Sequence, residues 1–194
     1  MRLVILGGPG AGKGTQAQQL CRQLSISLVS TSDILRQAIA SQTELGRQAQ
    51  VYVEKGELVP DSILIEFMRQ RLSQPDTAKC WLLEGYPRTA FQAEELDFLL
   101  EELDQQLHWA IYLEVPESVM MSRSLKRSRT SPSIGAVDSR PDDHPKIVQR
   151  RLNLFSERLP LLLEYYGYHQ RLLTINGDQS PLQVQQDILQ KIKV

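Results

Sequence analysis

Short apolar runs alternate with longer stretches in which apolar residues recur every three or four positions. The runs at residues 3–6, 26–29, 80–83, 109–115 and 172–175 lack polar alternation, which suits strands covered on both faces. The longer stretches carry one-sided stripes. Ile63, Leu64, Phe67, Met68 and Leu72 mark one helix, with Asp61 after Pro60 as its expected N-cap. Leu96, Leu99, Leu100, Leu103 and Leu107 mark a second. Val148, Leu152, Phe155 and Leu159 mark a third, expected to end near Pro160. Strand–helix alternation of this kind predicts an α/β fold with a parallel five-stranded sheet and helices on both faces. Two segments interrupt the rhythm. Residues 30–59 read as two helical stretches between the second and third strands. Residues 128–142 (SRTSPSIGAVDSRPD) have loop chemistry, and a loop of that length inside a small domain is usually functional.

Composition narrows the classes. With 194 residues and 41% apolar content, the chain is long enough for one domain with a real core and is neither disordered nor fibrous. Basic residues number 22 against 23 acids, a balance that argues against nucleic-acid or membrane-surface binding. No run approaches the length of a membrane span. Two cysteines, Cys21 and Cys80, and three scattered histidines offer no zinc or iron spacing, and a leaderless chain with so few thiols fits a reducing cytoplasm. The basic side is uneven, since 15 of the 22 are arginine, the side chain suited to forked contacts with phosphate.

The strongest chemical signal is GGPGAGKGT at residues 7–15, directly after the first predicted strand and opening a predicted helix. Glycines let backbone N–H groups turn inward around phosphate oxygens, and the helix N-terminus behind them adds a fixed positive dipole. Lys13 supplies a mobile charge for a transferred phosphoryl group and Thr15 a metal-side oxygen. Gly14 separates the lysine from the hydroxyl residue, a departure from the strict phosphate-loop pattern.

Two further segments follow strands, and a third gathers basic residues. Residues 30–36 (STSDILR) combine hydroxyl residues suited to a helix start with Arg36 one turn in. Residues 84–92 (EGYPRTAFQ) place a carboxylate and Arg88 at the carboxyl end of a buried strand, where doubly wound sheets bind ligands. Gln92 offers the donor–acceptor pair that an adenine edge requires, and equally forms a capping-box spacing with Thr89. From residue 123 to residue 151 there are eight basic residues and three acids, with Arg123 and Arg127 on one helix face.

In this order the motifs resemble the adenylate kinase family of nucleoside monophosphate kinases, whose phosphate loop carries the same Gly-Lys-Gly-Thr variant. The likeness covers essentially the whole chain. It implies a phosphate-loop core of residues 1–29, 60–126 and 143–194, a monophosphate-binding insertion at 30–59, and a lid at 127–142 without a zinc site. The implied reaction is reversible phosphoryl transfer from ATP, with Mg2+, to AMP, giving two ADP. The resemblance assigns ATP to Gly10, Ala11, Gly12, Lys13, Gly14, Thr15, Arg127 and Gln179, the last in an Asn-Gly-Asp-Gln loop that meets the donor adenine. It assigns AMP to Thr31, Arg36, Glu57, Leu58, Val59, Gly85, Tyr86, Pro87, Arg88, Gln92, Arg140 and Arg151. Lys13, Arg88, Arg123, Arg127, Arg140 and Arg151 would surround the moving phosphoryl group, and Thr15 and Glu84 would meet magnesium through its waters. Three positions depart from the family pattern: Ser32 for glycine, Glu84 for aspartate and Tyr86 for phenylalanine. Both insertions are expected to close over the nucleotides, in a cytoplasmic monomer. Two other readings stay open: a UMP/CMP kinase on the same scaffold, and a nucleotide-binding regulatory protein without transfer activity.

Overall fold

Five parallel strands form one sheet in the order β2-β3-β1-β4-β5, as the apolar runs predict. They are β1 (Arg2–Leu6), β2 (Ser27–Ser30), β3 (Trp81–Glu84), β4 (Trp109–Glu114) and β5 (Leu172–Asn176). The chain is represented by a computed structural model that describes residues 1–54, 59–129 and 145–192. Alternate strand residues enter two separate cores, which is why the strands read as continuous apolar runs. Val4, Leu6, Trp81, Leu83, Ala110 and Tyr112 pack on one face. Leu3, Ile5, Leu82, Ile111, Leu113 and Ile175 pack on the other.

Among the described residues eight α-helices cover the sheet: α1 (Lys13–Leu24), α2 (Thr31–Ala40), α3 (Glu44–Glu54), α4 (Asp61–Leu72), α5 (Ala90–Glu102), α6 (Glu117–Arg129), α7 (Pro145–Tyr168) and α8 (Pro181–Ile192). Helices α2 and α3 pack on each other in the expected insertion. Most of the expected lid lies outside the described residues.

Register fixes what shares the carboxyl edge. Ile5 and Ser30 both stand beside Glu84, Leu6 stands beside Tyr112, and Glu114 beside Asn176. The phosphate loop, the start of α2, the segment after β3 and the loop after β5 therefore leave the sheet side by side.

Three helix boundaries differ from expectation. Asp61 does not cap α4. Pro60 occupies that place without a side-chain bond, its fixed φ leading into the helix, and Asp61 is the first helical residue. Leu107 lies beyond α5, whose C-cap is Leu103. Helix α7 does not stop near Pro160 but runs on to Tyr168. Proline inside a helix removes one backbone bond and crowds the carbonyl four residues back. Here Pro160 and Ser156 face solvent, which can hydrate that carbonyl, while buried Leu152, Leu162 and Tyr166 hold both halves of the helix on the core.

Asp97 ties α5 to α7 and to Arg171, the residue that leads into β5. It accepts hydrogen bonds from Tyr165 Oη at 2.6 Å and from both terminal nitrogens of Arg171 at 2.9 and 2.5 Å. Asp97 and Arg171 are only 25% and 21% exposed, so solvent screens the pair incompletely. Asp97→Asn keeps the shape but removes the charge opposite Arg171. It is expected to lower unfolding free energy by about 2–3 kcal/mol, measured by urea denaturation.

Candidate functional site: a phosphate loop facing an arginine cluster

Leu6 ends β1, and the chain turns through the glycine run into α1. The amide of Ala11 donates to Gly8 O at 3.1 Å, folding the loop into a cup. Gly10 sits at φ +81°, and a Cβ there would lie 2.2 Å from the Met120 carbonyl oxygen, so only glycine lets the loop pass α6. Lys13 begins α1, with its Nζ donating back to Gly8 O at 2.9 Å. The ammonium is thus held over the loop whose amides would receive a phosphate.

Beside the loop is a cavity of about 210 Å³ walled by Ala11, Gly12, Thr15, Gln16, Arg123, Gly177 and Gln179, among others. Arg123 reaches from α6 and donates to Gly177 O at 3.0 Å and to Asp178 Oδ1 at 3.3 Å. The phosphate loop and the loop after β5, distant in sequence, therefore meet across one basic side chain.

On the other side of the loop, Thr31 is buried and its hydroxyl donates to Glu84 O at 3.1 Å. Gly85, at φ +94°, packs so closely that a Cβ would lie 3.3 Å from the Thr31 side chain. The two segments after β2 and β3 thus form one surface. A cis Tyr86–Pro87 peptide bond follows. Arg88 Nε donates to Gly85 O at 2.7 Å. The residue is exposed to solvent. Desolvation first and the like charge of Arg151 second push its pKa below the ordinary arginine value, with Arg158 adding to the repulsion and Glu84 opposing it. Guanidinium groups so placed, with Glu84 the one carboxylate acting on Arg88 among the described residues, form a site for an anion.

Gln92 meets the helix start that its spacing suggested, in a variant form. Thr89 Oγ1 accepts from Gln92 N at 3.1 Å as an N-cap. The Gln92 side chain reaches back to Arg88 N at 2.7 Å, one residue earlier than a capping box does, and donates to Asp61 Oδ1 at 2.6 Å. An amide has a second N–H and a second lone pair, so one donor and one acceptor remain. Arg36 lies one turn into α2, exposed and paired with Asp33. Such a surface pair is weak and easily exchanged for a phosphate. Val59 is buried at the entrance to α4. Glu57, Leu58, Arg140 and the Arg127 side chain lie outside the described residues.

The comparisons with known proteins agree with this geometry. Residues 5–171 match the family model for adenylate kinase. The chain is 60% identical over 194 residues to adenylate kinase 2 of Nostoc sp., with both chains covered completely. The chain belongs to the adenylate kinase family. It is also 50% identical over 192 residues to adenylate kinase 2 of Synechocystis sp., covering 99% of this chain and all of that one. At greater distance it is 36% identical over 214 residues to an adenylate kinase of Kosmotoga olearia, covering all of this chain and 99% of that one.

Family membership makes the chain a kinase phosphotransferase that binds nucleotides. Against that background, two residues that the sequence alone did not single out stand in the site. Arg158 lies seven residues after Arg151 on α7, so the helical period places both on one face. Gln16 is buried in the wall of the cavity, and its glutamine chemistry looked in sequence like any other polar residue of α1.

Proposed function

We propose that this chain transfers the terminal phosphoryl group of MgATP reversibly to AMP, giving two ADP. The observation that carries the reading is the shared carboxyl edge, where the phosphate loop and the Arg88 segment stand in adjacent register. One polyphosphate and one monophosphate placed there meet tail to tail. The acceptor phosphate is already anionic near neutral pH, so no side chain has to remove a proton. The barrier lies in bringing two polyanions together and stabilising charge on the equatorial oxygens. Arg36, Arg88 and Arg151 would hold the acceptor, with Arg140 joining them. Lys13, Arg123 and Arg127 would follow the moving phosphoryl group. In-line positioning of this kind can contribute about 7–11 kcal/mol.

In this reading the cavity beside the phosphate loop takes the donor base, bounded by Arg123 and by the loop carrying Gln179. The buried Thr31, with Gly85, Tyr86, Pro87 and Gln92, forms the acceptor side. Magnesium neutralises charge on the donor phosphates when it is bound. It keeps most of its waters and prefers phosphate oxygens to protein cages. The exposed Thr15 hydroxyl at the head of α1 and the Glu84 carboxylate beside β1 are hard oxygen donors that fit such a hydrated ion.

Among the described residues no helix is long and apolar enough to cross a membrane. We place the enzyme in the cytoplasm as a monomer with ATP, AMP and ADP as its ligands. A 31-phosphorus spectrum of the protein with MgATP and AMP is expected to show ADP signals growing in. No ADP would favour a regulatory binder. Faster turnover of UMP or CMP than of AMP would reassign the acceptor to a pyrimidine.

A further inference from the structure

We propose that Asp61 is a positioning residue for the acceptor, acting through the Gln92 side chain to fix the backbone at Arg88 and thereby setting KM for AMP. This rests on the reading above, in which Arg88 holds the acceptor phosphate.

Asp61 is the first residue of α4, where the chain returns to the core after residues 30–59. Among the described residues its hydrogen-bond partner is Gln92, whose amide nitrogen donates to the carboxylate at 2.6 Å. The oxygen of the same amide accepts from Arg88 N at 2.7 Å. Both contacts demand one orientation, because a carboxylate takes only the N–H end and a backbone N–H only the oxygen. Two linked hydrogen bonds therefore run from the charge of Asp61 to the backbone of Arg88, each polarising the other. Starting α5 does not require them, since Thr89 Oγ1 already caps that helix by accepting from Gln92 N.

Arg88 is tied at its other end as well, its Nε donating to Gly85 O at 2.7 Å. The residue is exposed, and a long side chain on an unfixed backbone loses much freedom when a phosphate arrives. With the backbone amide and Nε both held beforehand, less remains to be ordered, and the acceptor binds more tightly for the same contacts. The sign of the charge makes this role separable from electrostatics. A carboxylate close to a site for an anion would, by charge alone, repel the acceptor. Removing Asp61 should therefore tighten AMP binding if only its charge counts, and weaken it if the hydrogen bond to Gln92 counts.

The test is steady-state kinetics, with AMP varied at saturating MgATP and then the reverse. Asp61→Ala is expected to raise KM for AMP about 10-fold, with kcat and KM for ATP changed by less than about twofold. A KM for AMP that stays level or falls would overturn the proposal. So would equal rises in KM for both nucleotides, the pattern of a generally loosened fold. Asp61→Asn keeps an oxygen for the Gln92 amide and removes only the charge, so it is expected to recover most of the loss. A loss as large as that of Asp61→Ala would refute the hydrogen-bond role. In a Gln92→Leu background, Asp61→Ala should add nothing, and independent, additive losses would refute the route through Gln92. Calorimetric titration of the unaltered protein with AMP tests the underlying reading separately. Absence of AMP binding would bring down that reading and the role of Asp61 together. AMP binding by the unaltered protein, with an unchanged KM in Asp61→Ala, would bring down the role of Asp61 alone.

Discussion

Lys13→Met is expected to lower kcat for ADP formation by about 10³-fold, equivalent to about 4 kcal/mol of lost transition-state stabilisation. Methionine is close to lysine in length and apolar bulk, so the loop and α1 should keep their shape. What disappears is the ammonium that now rests 2.9 Å from Gly8 O. That contact is an exchangeable neutral acceptor, and a phosphoryl group carrying negative charge would draw the ammonium away from it. The charge matters most when the group is between donor and acceptor, because its oxygens are then least neutralised by either nucleotide. The loss should therefore fall on kcat more than on KM for ATP, whose phosphates keep the loop amides and the α1 dipole. Steady-state kinetics in both directions would check this, with thermal melting confirming an intact fold. A kcat within tenfold of the unaltered enzyme would assign the phosphoryl charge to other groups.

The parts of this molecule legible from sequence are those that local chemistry decides. Five apolar runs became five parallel strands because alternate residues of the sheet feed two cores, so both faces of its central strands are apolar. The glycine-rich run announced itself because a backbone turned around an anion needs residues without Cβ atoms, and Gly10 against Met120 shows how literally that holds. What sequence could not reveal depends on tertiary partners. Pro160 signals a helix end only when nothing on either side secures the helix, and here Leu162 and Tyr166 are buried beyond it. Asp61 looked like a cap because it follows proline, but its carboxylate meets Gln92, 31 residues away. Gln92 itself was ambiguous for the same reason, since the same amide serves the helix start and reaches Asp61. Gln16 illustrates the deepest limit. Nothing in a glutamine's neighbours along the chain tells that its side chain is buried against the Pro181 carbonyl oxygen.

Arg88→Ala is expected to reduce kcat/KM for AMP by about 10³-fold while changing KM for ATP little, because the side chain stands on the acceptor side of the edge. A forked, charge-assisted contact to a phosphate is among the stronger interactions available to a side chain, and here it would persist into the transition state. Arg88→Lys keeps the charge but not the fork, so it should recover only part of the loss. The stability of the free protein should behave differently. Without an anion, the exposed Arg88 guanidinium still feels partial desolvation and the like charges of Arg151 and Arg158, which depress its pKa. Removing it relieves that repulsion and forfeits the bond to Gly85 O, two effects of opposite sign. The melting temperature of unliganded Arg88→Ala should therefore match or exceed that of the parent, whereas the rise that AMP produces in the parent should be lost. A structural arginine would give the reverse pattern, a lower melting temperature without ligand and an undiminished response to AMP. Thermal melting of both proteins across an AMP titration separates the two, and it does so without any turnover being measured.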